Sequence, residues 1–378
     1  MSWLPRGRRA SLGAIDRTAG RAASHRSLGT RRPSSASARR SPPWRASRSP
    51  TRRGVRAVPS SRRQGSGRTR PCLPTASRHA GDVCRYRTTG ADDVAVRTIS
   101  TGHTFLESPR WHDGDLYVSD FFVNQVLRFP GGEGEPEVVA TVPGMPSGLG
   151  FLPDGELLIV SMGRQTVYRN TPSGLVPYAD LRGRVRGNLN DMLVDDEGRC
   201  YIGGVGHSNG DESDFDGTSL LVVQPDGEVH EAVGDLNFPN GVVKPDAASL
   251  LVAETYAGTV RELRLDDRGV PISSSVWAHW GAEIDYFDIE RAHAVLDVEP
   301  DGLSLGRDGT LWVSDANGHG IARVREGGAV EEFVDTGDLS VFAAHAVGQR
   351  LYLCCSPRNR TVDWSTLRSS ELRVADIS

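Results

Sequence analysis

From about residue 91 onward the chain runs in short stretches of alternating apolar and polar residues, broken by Gly, Asp and Pro. Period-two alternation sends successive side chains to opposite faces of a strand, so each stretch predicts a β-strand. One unit recurs: an apolar pair, a short polar stretch, a turn, then an apolar-alternating strand. Its six copies read "PRWHDGDLYVSD", "LGFLPDGELLIVS", "MLVDDEGRCYIGG", "VVKPDAASLLVAE", "LSLGRDGTLWVSD" and "AAHAVGQRLYLCC". Where Asp-Gly separates two such runs it predicts a tight hairpin, because a type I′ turn needs positive φ at both central residues.

The first turn residues of the copies are Asp113, Asp154, Asp196, Asp246, Asp308 and Gly348, at intervals of 41, 42, 50, 62 and 40 residues. A period near 40 made of short strands predicts blades of four strands each. The expectation is an all-β chain, a six-bladed β-propeller over residues 91–378. The two long intervals hold insertions, "GHSNGDESDFDG" and "WAHWGAEIDYFDIERAHAVLDV", which such folds carry as loops on one face. The stretch "DVAVRTIS" ahead of the first copy is expected to join the last blade and close the ring, since an open ring leaves unpaired strand edges. A β-sandwich is the competing architecture, but sandwiches do not produce six similar units at one period.

Charge divides the chain at the same place. Residues 1–90 hold 22 arginines against two acids, Asp16 and Asp82, whereas residues 91–378 hold 22 basic and 46 acidic residues. The first 90 residues are Arg, Ser, Pro and Gly with almost no apolar periodicity. Such a segment cannot bury enough apolar surface to offset its conformational entropy and is expected to be a disordered basic tail. An arginine-rich arm can bind phosphates, and an Arg/Ser-rich, acid-poor N-terminus fits an organellar transit peptide. The favoured reading is plainer: translation starts near residue 90 and the tail is a misassigned upstream stretch. The acidic body argues against nucleic acid as a partner.

No apolar run approaches the ~20 residues of a membrane span, and no hydrophobic segment follows the paired arginines as a secretion signal requires. The cysteines, Cys72, Cys84, Cys200, Cys354 and Cys355, show no metal-type spacing. Adjacent Cys354 and Cys355 would face opposite sides of a strand. A disulfide framework is not expected, and a reducing cytoplasm fits. The oligomeric state is left open.

Candidate chemistry appears when each copy is read backward from its turn. Six positions before it stand Glu107, Asn190 and Asn240, and seven before it stands Asp301. In a propeller these starts of the inner strands converge on the channel axis. Two carboxylates and two amide oxygens meeting there make a hard-oxygen site for one divalent metal ion, Ca²⁺ first, with Mg²⁺, Mn²⁺ or Zn²⁺ also suited. The second and sixth copies offer Ser147 and the vicinity of Phe342, expected to leave room for substrate and water. Asn-Gly and Asp-Gly alone are common turn formers; four oxygen-bearing residues at one repeat phase are not explained that way.

The segments "LESPRW", "NLNDMLVDDEGRCYIGG", "FPNGVVKPDAASLLVAET" and "PDGLSLGRDGTLWVSD" resemble the SMP-30/gluconolactonase/luciferin-regenerating-enzyme (regucalcin-like) family, over roughly residues 95–375 and in family order. The resemblance implies a single catalytic divalent metal held by Glu107, Asn190, Asn240 and Asp301, with Asp301 doubling as general base. It also implies a substrate contact two residues before the ligand Asn190. Many sugar-lactone members have arginine there; this chain has Asn188, which departs from the aldonolactone pattern.

The function expected from this set is a metal-dependent lactonase, a gluconolactonase-like carboxylic-ester hydrolase opening a small lactone to a hydroxy acid. Asp301 is its catalytic residue, and Asn188, Ser147 and His207 contact substrate. Two alternatives keep the fold: a phosphotriesterase-like ester hydrolase on the same site, and a non-catalytic calcium-binding scaffold. His207 and Asp211 lie in the first insertion and could overhang the site. Glu254 and Asp315 follow strands and are expected to satisfy turns. Trp277, Trp280, Tyr286 and Phe287 form an aromatic group expected to pack outside a blade rather than act as a lid. His103, His112 and His319 read as satisfied loop histidines.

Overall fold

A strand that alternates apolar side chains on both faces needs an apolar neighbour on each side, and a closed ring of sheets supplies both. The structure, a computed structural model, describes residues 94–207, 215–282, 289–357 and 366–377. The expected disordered tail, with Cys72 and Cys84, lies outside the described residues, as do Asp211, Tyr286 and Phe287. Among the described residues 24 strands form six four-stranded antiparallel sheets. The first five blades are sequential, spanning 106–141, 146–180, 189–236, 239–279 and 300–335. The sixth joins β22 (Leu339–Val347), β23 (Arg350–Pro357) and β24 (Ser370–Asp376) to β1 (Val96–His103). β1 pairs antiparallel with β24, so the ring closes with the strand expected to close it. The sandwich alternative is excluded.

The apolar core is six interblade layers. Leu158, Val160, Met192 and Ile202 fill the gap between blades two and three, and Leu116, Phe129, Tyr352 and Cys354 fill that between blades six and one. Trp312, Val341, Leu353 and Cys355 do the same between blades five and six. Strand alternation separates Cys354 from Cys355 into two different layers, and Cys200, Cys354 and Cys355 are free and buried. Trp277 and Trp280 pack against the layer between blades four and five, with Trp280 Nε1 donating to the Gly328 carbonyl at 3.2 Å.

The turn expectation holds only once. Asp113 and Gly114 both have positive φ, 49° and 89°, as type I′ requires. At Asp154–Gly155 and Asp308–Gly309 only the glycine is left-handed. There the aspartate caps the turn instead: Asp154 Oδ1 accepts the Glu156 N–H at 3.1 Å and Asp308 Oδ1 accepts the Thr310 hydroxyl at 2.9 Å. The hairpins form where expected through different local chemistry.

The two channel ends differ. At one, the inner strands begin, and both long insertions enter there: one follows β11 (Cys200–Gly204), the other follows β17 (Pro271–His279). At the opposite end a cavity of about 310 Å³ is lined by Arg110, Asp195, Lys244 and His345. Lys244 Nζ donates to Asp195 Oδ2 at 2.8 Å. Burial, reinforced by the Arg110 charge, pushes the His345 imidazole down to about 3.

Two outcomes follow for stability. Deleting β1 while keeping residues from Thr104 onward leaves β24 as an exposed edge, and calorimetry should show loss of the cooperative transition with aggregation on heating. His345 is neutral in the folded chain, whereas in the unfolded chain it takes up a proton below about 6.5. Its contribution is therefore present above that pH and is lost as pH falls from about 6.5 toward about 3. The melting temperature should drop across that window, and His345→Asn should flatten the drop.

Candidate functional site

Each inner strand carries one more residue than its neighbour can pair. The inner strands are β2 (Leu106–His112), β6 (Pro146–Phe151), β10 (Leu189–Val194), β14 (Pro239–Asp246), β18 (Pro300–Leu305) and β22. All six shift register by one residue near their start, for example between Leu189 and Met192 against β11, and between Pro300 and Leu303 against β19 (Leu311–Asp315). A bulge of this kind re-aims a side chain. The positions at the shifts are Glu107, Ser147, Asn190, Asn240, Asp301 and Phe342, all buried.

The glycine after Asn240 and Asp301 is not a turn former, as the dipeptides alone would read. A Cβ on Gly241 would lie 2.5 Å from the Leu303 nitrogen, and one on Gly302 would lie 2.6 Å from the Ala343 Cα. Adjacent inner strands approach backbone to backbone at the axis, and only glycine fits between them.

These axial side chains touch one another. Asn190 Nδ2 donates to Asn240 Oδ1 at 2.8 Å, and the Ser147 hydroxyl donates to Asn190 Oδ1 at 3.3 Å. Asn240 Nδ2 donates to the Thr255 hydroxyl at 3.2 Å, and the Asn240 amide also hydrogen-bonds Asp301. Glu107 and Asp301 are 9% and 2% exposed. Burial, then the Asp191 charge, pushes the Glu107 carboxyl up to about 8, against smaller opposing effects of the Ser108 N–H and Arg110. Burial, then the charges of Glu107, Asp191 and Glu299, holds Asp301 well above the carboxylate range, opposed by Asn240. Asp301 Oδ1 is buried without a hydrogen-bond partner, and so is Asn188 Oδ1.

Two buried carboxylates that disfavour each other's ionisation stand beside two asparagine amides. Among the described residues no three His, Cys, Asp or Glu side chains cluster for metal binding; this ring takes two of its four oxygens from asparagine. Such a donor set suits a hard divalent cation.

The remaining expected residues fall as follows. Asn188 is buried at the mouth, its Oδ1 3.8 Å from where a Cβ on Gly163 would lie. His207 is buried 6.5 Å from the Tyr256 ring. Ser147 is buried and turned onto Asn190 rather than open to a substrate. Phe342 does not leave room on the axis. It is fully buried with its ring 4.8 Å from Phe105, because an apolar residue at that position has an aromatic partner to pack on. Glu254 and Asp315 satisfy turns as expected: Glu254 accepts the Asn237 N–H at 2.9 Å, and Asp315 accepts the Glu299 and Asn317 N–H groups. His103 bonds Ser100 at 2.8 Å and His112 stacks on Phe151 at 3.9 Å.

The sequence pattern did not single out Asp191, Glu299, His293 or Phe105. Asp191 accepts from the Ser108 hydroxyl at 2.7 Å and from Arg110 at 3.0 Å, tying blade three to blade one across the channel. Its signal was its place directly after Asn190. Glu299, fully buried, meets His293 Nδ1 at 2.8 Å.

Residues 105–354 match the SMP-30/Gluconolactonase/LRE-like region. The gluconolactonase of Zymomonas mobilis subsp. mobilis is 25% identical, aligned over 69% of this chain and 75% of its own. Two solved structures share the fold. A gluconolactonase from Xanthomonas campestris has a TM-score of 0.57 at 18% identity, covering 75% of this chain and 89% of that one. A calcium-binding regucalcin from Agrobacterium tumefaciens has a TM-score of 0.59 at 18% identity, covering 76% and 96%.

The cross-channel tie yields a stability prediction. Asp191→Ala leaves Arg110 without its carboxylate partner in a largely buried position, and should cost about 3–5 kcal/mol in denaturant unfolding.

Proposed function

Because the chain belongs to the SMP-30/Gluconolactonase/LRE-like family, we propose that it hydrolyses a small lactone to a hydroxy acid. In this reading Glu107, Asn190, Asn240 and Asp301 hold one divalent cation, Ca²⁺ first, with Mg²⁺, Mn²⁺ or Zn²⁺ as alternatives. The observation that carries it is the pair of buried, mutually repelling carboxylates, one with an oxygen that no hydrogen bond uses. When bound, the cation supplies Lewis-acid polarisation of a carbonyl and compensates developing negative charge.

The chain's own groups do the rest. Asp301 is assigned as general base and would accept the proton of the attacking water; a carboxylate beside a bound cation is a weakened base, so activation of that water would be shared with the cation. As the water oxygen bonds to the carbonyl carbon and the ring C–O bond breaks, that proton passes to the departing alkoxide. The product is one hydroxy acid, with the atoms of water and lactone accounted for. Asn240 keeps the Asp301 carboxylate oriented through its amide, and Ser147 does the same for Asn190. Asn188 Oδ1, free and buried, accepts from a substrate hydroxyl or bound water, and His207 lines the blade-three side of the mouth.

Full-length chain stripped of metal, then given Ca²⁺, Mg²⁺, Mn²⁺ or Zn²⁺, should open lactones in a pH-indicator assay only with the ion restored. Asp301→Asn should lower kcat by about 10²–10⁴. Full activity of that variant would overturn the assignment. A cation that raises the melting temperature while no lactone opens would favour the non-catalytic calcium-binding reading.

A further inference from the structure

The mouth has two unlike halves. Two residues before the six axial positions stand Phe105, Met145, Asn188, Phe238, Glu299 and Ser340. On the side of blades three to five this second ring offers Asn188, Phe238 and Glu299, with His207 beside them; Phe238 is turned into a separate cluster with Phe215 and Tyr256. On the side of blades one, two and six it offers Phe105, Met145 and Ser340, and the Ser340 hydroxyl is spent on the Gly318 carbonyl at 2.6 Å. Phe105 is fully buried, its ring 4.8 Å from Phe342, 5.3 Å from Phe121 and 6.3 Å from Phe122. Met145 and Met162 pack on the same group. Phe105, Phe121 and Phe342 form its buried floor, while Phe122 and Met145 are half-buried and keep part of their surface open.

The backbone of the second ring is held against its preference at two places, one on each side of the mouth. Met145 has φ 66° and Phe238 has φ 59°, a left-handed conformation that bulky residues rarely adopt. Met145 is fixed by its N–H donating to Asn124 Oδ1 at 2.9 Å and its carbonyl accepting the Met162 N–H at 2.9 Å. Both strained residues stand in the second ring, two before Ser147 and Asn240. Strain that persists beside the axial ring points to a functional role for these positions.

We infer that the lactone carries an apolar alkyl or aryl substituent that packs on Phe122 and Met145. This rests on the lactone-hydrolase reading and names its substrate class. A polyhydroxylated substituent seated on Phe122 and Met145 would set its hydroxyls against side chains that neither donate nor accept, and an unpaired buried hydroxyl is costly. An apolar substituent loses nothing there and covers the open faces of Phe122 and Met145, while the lactone carbonyl and ring oxygen remain on the polar half.

The test compares, on the full-length metal-loaded chain, δ-gluconolactone, unsubstituted γ-butyrolactone, and γ-butyrolactones bearing a hexyl or a phenyl group. The substituted lactones should exceed the unsubstituted one by about tenfold or more in kcat/KM, and gluconolactone should be the poorest. Phe122→Ala and Met145→Ala should each reduce the substituted-to-unsubstituted ratio at least about fivefold, mainly through KM. A preference for gluconolactone, or a ratio unmoved by both substitutions, overturns the inference. Binding of the matching hexyl and polyhydroxylated lactams, followed by calorimetry, separates the two readings. Tighter hexyl-lactam binding without hydrolysis of any lactone upholds the apolar subsite and sinks the hydrolase. Hydrolysis with equal lactam affinities does the reverse.

Discussion

Each innermost strand has one residue too many for its neighbour, and that surplus turns Glu107, Asn190, Asn240 and Asp301 toward the axis instead of into the interblade layers. Without the register shift, strict alternation would send these polar side chains between blades, where they would face leucine, valine and tryptophan. The shift is tolerated because the ring is closed. Interblade cores on both faces of every sheet fix the strands, and β1 against β24 removes the last free edge. Close backbone approach then follows, and with it the glycines at 241 and 302.

Convergence has an electrostatic consequence. Glu107, Asp301 and Asp191 are buried, so the first two meet each other and Asp191 with little screening, and both are driven toward their protonated forms. Arg110 cannot neutralise them, because it is engaged by Asp191 and the Met192 carbonyl. A cation at the ring would relieve this repulsion while leaving the four side chains where the fold already holds them. Above the ring, Asn188 and Glu299 stand on the side of blades three to five and the Phe105 group on the side of blades one, two and six.

The repeat of about 40 residues made the fold legible, because a closed propeller writes the same strand pattern six times. The axial positions were legible for the same reason: repeat phase marks equivalent places without any knowledge of contacts. Phe342 shows where that logic stops. Phase located it on the axis, but only packing against Phe105 determines that it fills the position instead of opening it. Asp191 was hidden because its role is a contact across the channel to Ser108 and Arg110, some 80 residues away in sequence. The turn type at Asp154 and Asp308 was missed because aspartate can cap a turn as readily as adopt positive φ.

Calorimetric titration of the metal-stripped full-length chain with Ca²⁺, beside Asp301→Asn and Glu107→Gln, tests the claim that the axial oxygens form one cation site. One ion should bind per wild-type chain, and affinity should fall in both variants by at least about tenfold. Binding of equal affinity in all three proteins, or no binding by the wild type to any of Ca²⁺, Mg²⁺, Mn²⁺ and Zn²⁺, would contradict that claim.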